Sequence, residues 1–424
     1  MSRLRPALAG TALAALALPL AAQRPVALPV ADRALAAALA SLRADNAWTL
    51  EQQASICAIP APPFKEQARA AEYLERLAAF GVDALRTDSV GNVIGLRRGT
   101  GRGPLVVLSA HLDTVFPEGT DVTVRRDTTG GRVVLKGPGI GDDCRGLAAV
   151  LAVVRAMHLH KVRTAGDVLV VATVGEEGPG NLRGVRHLFA GEYKGKIGYF
   201  LSVDGTGFGV VSGAVGSHRY RVRYTGPGGH SYGAFGMPNP AHALGRAIAK
   251  VSDFTVPDAP RTTFSVSVLG GGTSVNSIPY EATMEVDMRS ESEASLAELD
   301  ARFQRALRDA LAEEKARWPN SRAALALHVD TIGIRPAGTQ PDTAHVVRVA
   351  IATAQHLGFP VVPQASSTDA NVPIALGVPA ITLDAAGRGR GAHSLDESYE
   401  DGPNGWLGPQ WVALVVATLA GIAK

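Results

Sequence analysis

Cysteine is scarce in this chain, and a strong net charge is missing. The only cysteines are Cys57 and Cys144, which allow at most a single disulfide and exclude a disulfide framework. The 42 basic and 39 acidic residues leave a net charge of +3, which gives no electrostatic reason to expect nucleic acid or an anionic membrane as a partner. Hydrophobic residues make up 46% of the chain, so an intrinsically disordered protein is also excluded.

A hydrophobic run long enough to span a membrane is also missing. Residues 1–23 open with Arg3 and Arg5, continue as a short Ala/Leu run that Pro19 interrupts, and end in small residues. This pattern is typical of a cleaved secretory signal, although Leu20 occupies a position where cleavage sites prefer a small residue. We therefore expect export, periplasmic or secreted, with no stable membrane anchor after cleavage.

The order of apolar patterns predicts two domains, one inserted into the other, as a length of 424 residues suggests. In residues 24–214, helical spacing is followed by strand-like runs that alternate with helical patterns, and residues 123–137 read as an inserted hairpin. Residues 215–335 follow the order β-α-β-β-α-β of a ferredoxin-like module, and residues 336–424 return to the first pattern. The predicted fold class is α/β: a mostly parallel-sheet α/β/α catalytic domain interrupted by a smaller ferredoxin-like α+β module.

Acids and histidines follow the ends of the strand-like runs. In chain order these residues are His111 and Asp113, Glu176 and Glu177, Asp204, and His393. A further acid pair, Asp142 and Asp143, lies in a Gly-rich turn just before an Ala/Leu/Val-rich helical pattern. Because ligands of an open α/β sheet bind beyond the carboxyl ends of its strands, we expect these side chains to meet. Carboxylate oxygens and imidazole nitrogens suit zinc or a similar divalent ion.

The same residues offer every part that a pair of divalent ions needs, namely a bridging carboxylate, further ligands and a nearby base. Asp142, at a turn that opens a helix, is the candidate bridge. The candidates for the other ligands are His111, Glu177, Asp204 and His393. Asp113 lies two residues from His111 on an extended segment, so it can orient a ligand imidazole. Of the neighbours Glu176 and Glu177, one can bind metal while the other acts as general base.

These motifs resemble one known family. HLDTV, GPGIGDD, GEEGPGN, SVDG and GAHSLDE occur in the order, and at roughly the spacing, of the zinc exopeptidase family of glutamate carboxypeptidase, tripeptidase T, aminoacylase, acetylornithine deacetylase and succinyl-diaminopimelate desuccinylase. Within residues 215–335, which we call the lid module, GGHSYGAFGMPNPAHAL, GGTSVNSIP and EVDMRS resemble the lid and dimerisation domain of that family. The resemblance covers nearly all of the chain after residue 23.

The resemblance implies two zinc ions per chain, with cobalt or manganese as alternatives. One ion would be held by His111, Asp142 and Asp204, and the other by Glu177, His393 and the bridging Asp142. Glu176 would be the general base, and Asp113 would orient His111.

In the lid module the resemblance implies roles toward the substrate and a partner subunit. His230 would reach the site of the partner in a homodimer and stabilise an oxyanion. Asn276 and Arg289 would bind a substrate carboxylate, a group that the planar Arg fork grips in two places. The alternative is a purely structural role for each residue: capping for His230, a turn for Asn276, and a salt bridge at a strand end for Arg289.

One departure from the family pattern follows the bridging acid. The family often has a lysine two residues after that acid, where this chain has Cys144, and the basic residue is Arg145. We interpret Cys144 as a buried, inert thiol rather than a soft metal ligand. All predicted metal ligands and the base are retained, so an inactive homologue is not favoured.

The sequence therefore predicts an exported dizinc metallopeptidase that hydrolyses an amide bond in short peptides by metal-bound hydroxide, with Glu176 as general base. GVVSGAVGS, SSTDAN and the GDD turn resemble the tripeptidase and carboxypeptidase branch more than the deacylases. The alternatives are an N-acyl amino acid deacylase of the same family and a non-catalytic protein that binds peptides or metal on this fold.

Overall fold

The computed structural model describes residues 25–129 and 132–423, so the predicted signal segment, residues 1–23, lies outside the described residues. Within the described range no helix combines the length and the apolar character that a membrane crossing requires.

Helices precede the first strand and recur along the whole chain. Their bounds are α1 (Arg33–Ala44), α2 (Asn46–Cys57), α3 (Gln67–Ala78), α4 (Cys144–Leu159), α5 (Arg183–Ala190), α6 (Pro240–Ser252), α7 (Glu293–Ala316), α8 (His345–His356), α9 (Asn371–Ala375) and α10 (Leu407–Ala420). A short 3-10 helix, Gly178–Gly180, precedes α5. The helical spacing that the sequence shows ahead of the first strand corresponds to α1, α2 and α3.

The strands follow the alternation that the sequence predicts. Their bounds are β1 (Asp83–Thr87), β2 (Val93–Arg97), β3 (Leu105–His111), β4 (Arg125–Thr129), β5 (Arg132–Lys136), β6 (Val168–Thr173), β7 (Ile197–Val203), β8 (Val210–Ala214), β9 (Gly216–Thr225), β10 (Gly229–His230), β11 (Thr262–Gly271), β12 (Ser277–Ile278), β13 (Glu281–Ser290), β14 (Ala326–Arg335), β15 (Pro363–Ser366), β16 (Ala380–Leu383), β17 (Arg388–Arg390) and β18 (Ser398–Glu400).

The largest sheet has eight strands in the order β1-β2-β6-β3-β7-β16-β8-β15. Its centre, β6-β3-β7-β16, is parallel, and antiparallel pairs occur toward both edges. Every residue of β6 is buried, because separate hydrophobic clusters cover the two faces of the sheet. One cluster includes residues of α4 and α10, and the other includes residues of α5. This arrangement confirms the predicted α/β/α fold class.

The lid module forms a second sheet of four strands in the order β11-β13-β9-β14, all antiparallel. Helices α6 and α7 pack on one face of this sheet, and β13 alternates buried with half-buried residues, as expected for a sheet with one covered face. The apolar core of the module lies wholly between residues 220 and 329. The chain order β9-α6-β11-β13-α7-β14 is ferredoxin-like, as the sequence predicts, whereas the bounds 24–214, 215–335 and 336–424 stay predictions.

The inserted hairpin pairs with a distant part of the chain. Strands β4 and β5 form an antiparallel ribbon, and β5 also pairs with β18, which pairs with β17. The sequence indicated the ribbon but not its partners, which lie more than 250 residues further along the chain. The loop between β17 and β18 contains His393, so this small sheet lies beside the predicted metal ligands.

Trp411 offers a test of the main core. Its side chain is completely buried, and its indole N–H donates to the Ala350 carbonyl at 3.1 Å and to Thr353 Oγ1 at 3.0 Å. We expect Trp411→Ala to lower the free energy of unfolding by about 3–5 kcal/mol, because a large cavity replaces the ring. Chemical denaturation followed by circular dichroism measures the change. The half-buried Trp406 is the control, and an equal or larger effect of Trp406→Ala would contradict the prediction.

Candidate metal centre

The parallel strands at the centre of the large sheet deliver acids and a histidine to one edge. Strand β3 ends at His111, Glu176 and Glu177 follow β6, and Asp204 follows β7. Strands β6, β3 and β7 are parallel neighbours, so their carboxyl ends lie side by side. The expectation that these side chains meet beyond the strand ends agrees with the geometry.

Asp142 lies between two imidazoles. Its Oδ1 is 3.0 Å from Nε2 of His111, and its Oδ2 is 3.1 Å from Nε2 of His393. The same nitrogen of His393 is 3.2 Å from Oε1 of Glu177, and Nε2 of His111 is 3.8 Å from Oδ1 of Asp204. The structure thus brings together all five residues that the sequence nominated as metal ligands, and we call them the ligand cluster.

The ligand cluster divides into two groups that share Asp142. His111, Asp142 and Asp204 offer ligand atoms within 4.8 Å of one another, and so do Asp142, Glu177 and His393. Imidazole nitrogens and carboxylate oxygens are the ligands that zinc, cobalt and manganese accept in proteins. A carboxylate whose two oxygens face different groups is the arrangement that a pair of ions requires. The residues present therefore fit a pair of divalent cations.

The pKa shifts in the ligand cluster also favour a site for cations. Burial raises the pKa of Asp204 well above its usual range, and the carboxylates of Asp142 and Glu176 raise it further although His111 lowers it. Hydrogen bonds to Asp142 and Glu177 raise the pKa of His393 to about 10. Neighbouring carboxylates contribute to both pKa shifts, so the cluster holds protons or attracts other cations. Bound divalent ions would satisfy that negative charge.

Asp113 supports the cluster through its main chain and its side chain. Nδ1 of His111 lies 3.0 Å from the carbonyl oxygen of Asp113, which can only accept, so Nδ1 carries a proton and Nε2, which faces Asp142, is the ring nitrogen that can bind an ion. The Asp113 carboxylate accepts from the amides of Glu176 at 3.0 Å and Glu177 at 2.8 Å. Its Oδ1 is 3.7 Å from Nδ1 of His111, so the ring is oriented mainly by the backbone carbonyl.

Asp143 and Arg145 support the start of α4. The Asp143 carboxylate accepts from the amide of His111 at 3.0 Å and from the amide of Gly146 at 3.0 Å, which caps the helix. Arg145 is buried and donates to the carbonyls of Ala385 and Gly405. The basic residue that departs from the family pattern therefore serves packing between chain segments.

Both cysteines are buried, free thiols, and the Cys57 thiol donates to the Pro138 carbonyl at 3.4 Å. Among the described residues, Cys144 belongs to none of the groups that could hold a metal ion.

Glu397 is an acid whose importance the sequence reasoning missed. Its buried carboxylate accepts from the amides of Gly139 and Gly141 at 2.8 Å each and from the amide of Asp142 at 3.1 Å. These bonds hold the Gly-rich turn that presents Asp142. The only signal in the sequence is an acid four residues after His393, and nothing in that spacing identifies its partners.

Arg335 is the second residue that the sequence reasoning missed. Its Nη1 donates to Oε1 of Glu176 at 3.0 Å and to Oγ of Ser367 at 3.1 Å, and its Nη2 donates to the main-chain carbonyl of Glu176. Burial raises the pKa of Glu176, Arg335 lowers it, and the Glu177 carboxylate raises it again. Arg335 and Glu176 are 159 residues apart, and no motif links them.

A cavity of about 700 Å³ lies between the ligand cluster and the lid module. Its lining from the catalytic domain includes Asp142, Glu176, Glu177, Asp204 and His393. Its lining from the lid module includes Arg219, Glu285, Asp287, Arg289 and Ile332. Of the residues that the sequence nominated in the lid module, Arg289 therefore faces the cavity.

Asp287 holds two guanidinium groups at this cavity. Its Oδ1 accepts from Nε of Arg219 at 3.1 Å, and its Oδ2 accepts from Nε of Arg289 at 2.7 Å. Because each arginine uses its Nε–H for Asp287, terminal nitrogens remain for other partners. Arg219 is a third residue that the sequence reasoning missed.

His230 and Asn276 are not brought to this cavity. His230 is exposed, and its Nδ1 accepts from the amides of Tyr232 at 3.2 Å and Gly233 at 3.3 Å. The Asn276 carbonyl accepts from the amide of Ser231 at 2.8 Å, beside the ribbon of β10 and β12. Neither residue lines the cavity of its own chain.

The chain is similar in sequence to a known family and to known proteins. The family model described as "Peptidase family M20/M25/M40" matches residues 107–404. Carboxypeptidase G2 of Pseudomonas sp. (strain RS-16) is 30% identical over 238 residues, which are 52% of this chain and 54% of that protein. Succinyl-diaminopimelate desuccinylase of Leptothrix cholodnii is 30% identical over 290 residues, which are 63% of this chain and 72% of that protein.

Solved structures share the fold at low sequence identity. Aminopeptidase PepT of Bacillus cereus is 19% identical with a TM-score of 0.67, and the match covers 88% of this chain and 97% of that chain. The di-peptidase Dug1p of Saccharomyces cerevisiae is 15% identical with a TM-score of 0.70, and the match covers 91% of this chain and 98% of that chain.

Proposed function

Because the chain belongs to the M20/M25/M40 peptidase family and is a metal-dependent hydrolase, we propose that it is a dizinc exopeptidase that cleaves an amide bond in short peptides. The observation that carries the proposal is the position of Asp142, whose two oxygens face His111 on one side and His393 on the other. A bridging carboxylate of this kind is the central part of a site for two ions.

In this proposal the ligand cluster holds both ions. His111, Asp142 and Asp204 bind one, and Asp142, Glu177 and His393 bind the other. When bound, two such ions polarise the scissile carbonyl and lower the pKa of a water molecule. The chain supplies the geometry for this chemistry, because Asp113, Asp143 and Glu397 hold the ligands through main-chain amides and carbonyls.

Glu176 acts as the general base. It lies in one group with His111 and Glu177, the residue is 5% exposed, and it lines the cavity. Its carboxylate accepts the proton of the attacking water and passes it to the leaving nitrogen. Arg335 holds one carboxylate oxygen of Glu176 and leaves the other for the water.

The lid arginines bind the substrate carboxylate. Arg289 and Arg219 bind Asp287 through Nε, Nη1 of Arg219 also donates to the Gly178 carbonyl at 3.3 Å, and both arginines line the cavity with Arg335. A planar guanidinium fork suits a carboxylate, and a cavity of about 700 Å³ accommodates a molecule of dipeptide or tripeptide size. Peptides with a free carboxylate next to the scissile bond, including acidic ones, are therefore the first substrates to test.

A homodimer formed through the lid module is also part of the proposal. The edge strand β11 exposes Val268 and Leu269, and Tyr232 and Phe235 are exposed near His230. Exposed apolar residues of this size on an unpaired strand edge are typical of an interaction surface. In a dimer His230 would contribute to the site of the partner, which accounts for its exposure in the single chain.

Leu269 tests the dimer. The residue is 63% exposed, and Leu269→Arg should weaken dimerisation by about 10- to 100-fold, because it places a charge in an apolar contact. Sedimentation velocity over a range of concentrations measures the change. Leu376→Arg is the matched control, since Leu376 is 61% exposed on the catalytic domain. A wild-type monomer, or equal effects of the two variants, would contradict the prediction.

Export is proposed from the residue pattern of residues 1–23 alone. The test is expression of the full chain in a bacterium that has a periplasm. Mass spectrometry of the periplasmic fraction should then show a chain that lacks residues 1–23. Recovery of the intact chain from the cytoplasm would contradict export.

The function as a whole is tested by elemental analysis and a substrate panel of dipeptides, tripeptides and N-acyl amino acids. Near two metals per chain with chelator-sensitive cleavage of peptides is the expected result. Faster turnover of N-acyl amino acids would favour a deacylase, which the match to a desuccinylase over 63% of this chain makes the second candidate. A chain that stays inert after zinc or cobalt is added would favour a binding protein.

A further inference from the structure

The last strand of the lid module ends on the loop that carries Glu176. The amide of Ile334 donates to Oδ1 of Asn181 at 2.9 Å, and Nη2 of Arg186 donates to the carbonyl of Ile334. Nε of Arg186 donates to the main-chain carbonyl of Asn181 at 2.9 Å, so the Arg186 side chain is joined to the backbone of Asn181. We call Asn181, Arg186 and Ile334 the junction clamp.

We propose that Asn181 and Arg186 are positioning residues for the general base. They bind both peptide groups of Ile334, and Arg335, the next residue, pairs with Glu176 through its side chain and its main chain. Fixing the backbone on both sides of Ile334 sets the direction in which the Arg335 side chain leaves β14. The junction clamp thereby couples the placement of the lid module to the orientation of the Glu176 carboxylate.

The strand is free to make these bonds because of its place in the sheet. Strand β14 is at an edge, with β9 as its only neighbour among the described strands, and a bulge interrupts the pairing between Thr331 and Gly333. An edge strand presents main-chain groups that the sheet does not satisfy. The bulge comes just before Ile334, and its residue Ile332 lines the cavity. The end of β14 is therefore shaped to meet the catalytic domain.

On the catalytic-domain side of the junction clamp, Asn181 lies in a turn that main-chain hydrogen bonds close. Asn181 has a left-handed backbone with φ of 53°, a conformation that Asn adopts more readily than most residues. Next to it, the amide of Leu182 donates to the Gly175 carbonyl at 2.8 Å, and the amide of Gly180 donates to the Glu177 carbonyl at 2.8 Å. Asn181 thus belongs to the same closed turn as Glu177, and a shift of β14 is transmitted directly to this loop.

Matched variants of Asn181 separate the acceptor from the backbone. Asn181→Gly keeps the left-handed backbone and removes the acceptor, whereas Asn181→Asp keeps an acceptor oxygen. We expect Asn181→Gly and Arg186→Met each to lower kcat by about 10- to 100-fold with KM within about threefold, since the base is misplaced but substrate binding is retained. Asn181→Asp should keep most of the turnover. Metal content should stay the same in all of them, and Arg98→Met, which alters an exposed ion pair, is the control.

A double-mutant cycle with Arg335 decides between positioning and a merely structural role. If the clamp acts through Arg335, then Asn181→Gly should lower kcat by less than about threefold in an Arg335→Met background, because the contact it supports is already gone. Equal fold losses in both backgrounds would overturn the proposal. Arg335→Lys replaces Arg335→Met if circular dichroism shows that the methionine variant is unfolded.

The inference rests on the proposed function, but the two can fail separately. If the wild-type chain has no turnover on the substrate panel, the proposed function is wrong. The wild type, Asn181→Gly, Arg335→Met and the double variant are then compared by thermal unfolding. Coupling between Asn181 and Arg335 then appears as a non-additive change in Tm, which supports the clamp. Additive changes in Tm would overturn it.

Discussion

Replacing Glu176 with glutamine is expected to lower kcat by about 10²- to 10⁴-fold while metal content stays unchanged. The amide keeps the size of the side chain and its contact with Arg335, but it cannot accept the proton of the attacking water. Glu176 lies beside the ligand cluster without being needed in the two groups that share Asp142, so its loss should not release metal. Steady-state kinetics and elemental analysis of the same preparation measure both quantities.

The control for this prediction is Glu75→Gln, which changes an exposed carboxylate on α3 in the same way. Its kinetics should match the wild type. If Glu176→Gln retained more than about a third of the turnover, a base contribution of the usual size would be excluded. A protein that binds peptide equally well with either residue and never cleaves it would instead favour the binding alternative.

The second large effect is expected at Asp142. Asp142→Ala should remove both ions and lower kcat by about 10³-fold or more, because the residue is shared by the two groups and no other carboxylate takes its place. Elemental analysis after gel filtration measures the loss, and it does so independently of activity. Thermal unfolding with and without added zinc provides a further readout, since an ion that binds only the folded chain raises Tm.

Asp204→Asn is the contrast to Asp142→Ala. Asp204 belongs to the group with His111 and not to the group with His393, so its loss should release one ion and retain the other. A loss of both ions in each variant would show that the two groups do not bind independently. Retention of two ions in Asp142→Ala would contradict the bridging role.

The chemistry of the candidate site was readable from the sequence because it depends on local features. A strand-like run followed by acids or histidine marks the carboxyl end of a strand, and parallel strands align those ends. His111, Glu177 and Asp204 could therefore be expected at one edge before any geometry was known. The same logic failed for Glu397, whose partners are main-chain amides of a distant turn.

The lid module shows a second limit of prediction from the sequence. Its order of elements is visible in the sequence, because period-two and helical patterns are local properties. The register of its last strand is not visible there, since the bulge between Thr331 and Gly333 and the bond from the Ile334 amide to Asn181 depend on how two domains meet. His230 and Asn276 lie away from the cavity of their own chain, and the motifs alone do not reveal that.

The sequence by itself determined which residue types are available, the α/β and ferredoxin-like order of elements, and the acids and histidines at strand ends. The tertiary structure supplied the distances at which Asp142 faces His111 and His393, the latter 251 residues away, and it alone decided that Arg335 pairs with Glu176. The physical reason is the distance along the chain over which each kind of interaction acts. Periodicity and turn chemistry act over a few residues, whereas these contacts follow from sheet order, register and the packing of one domain on another.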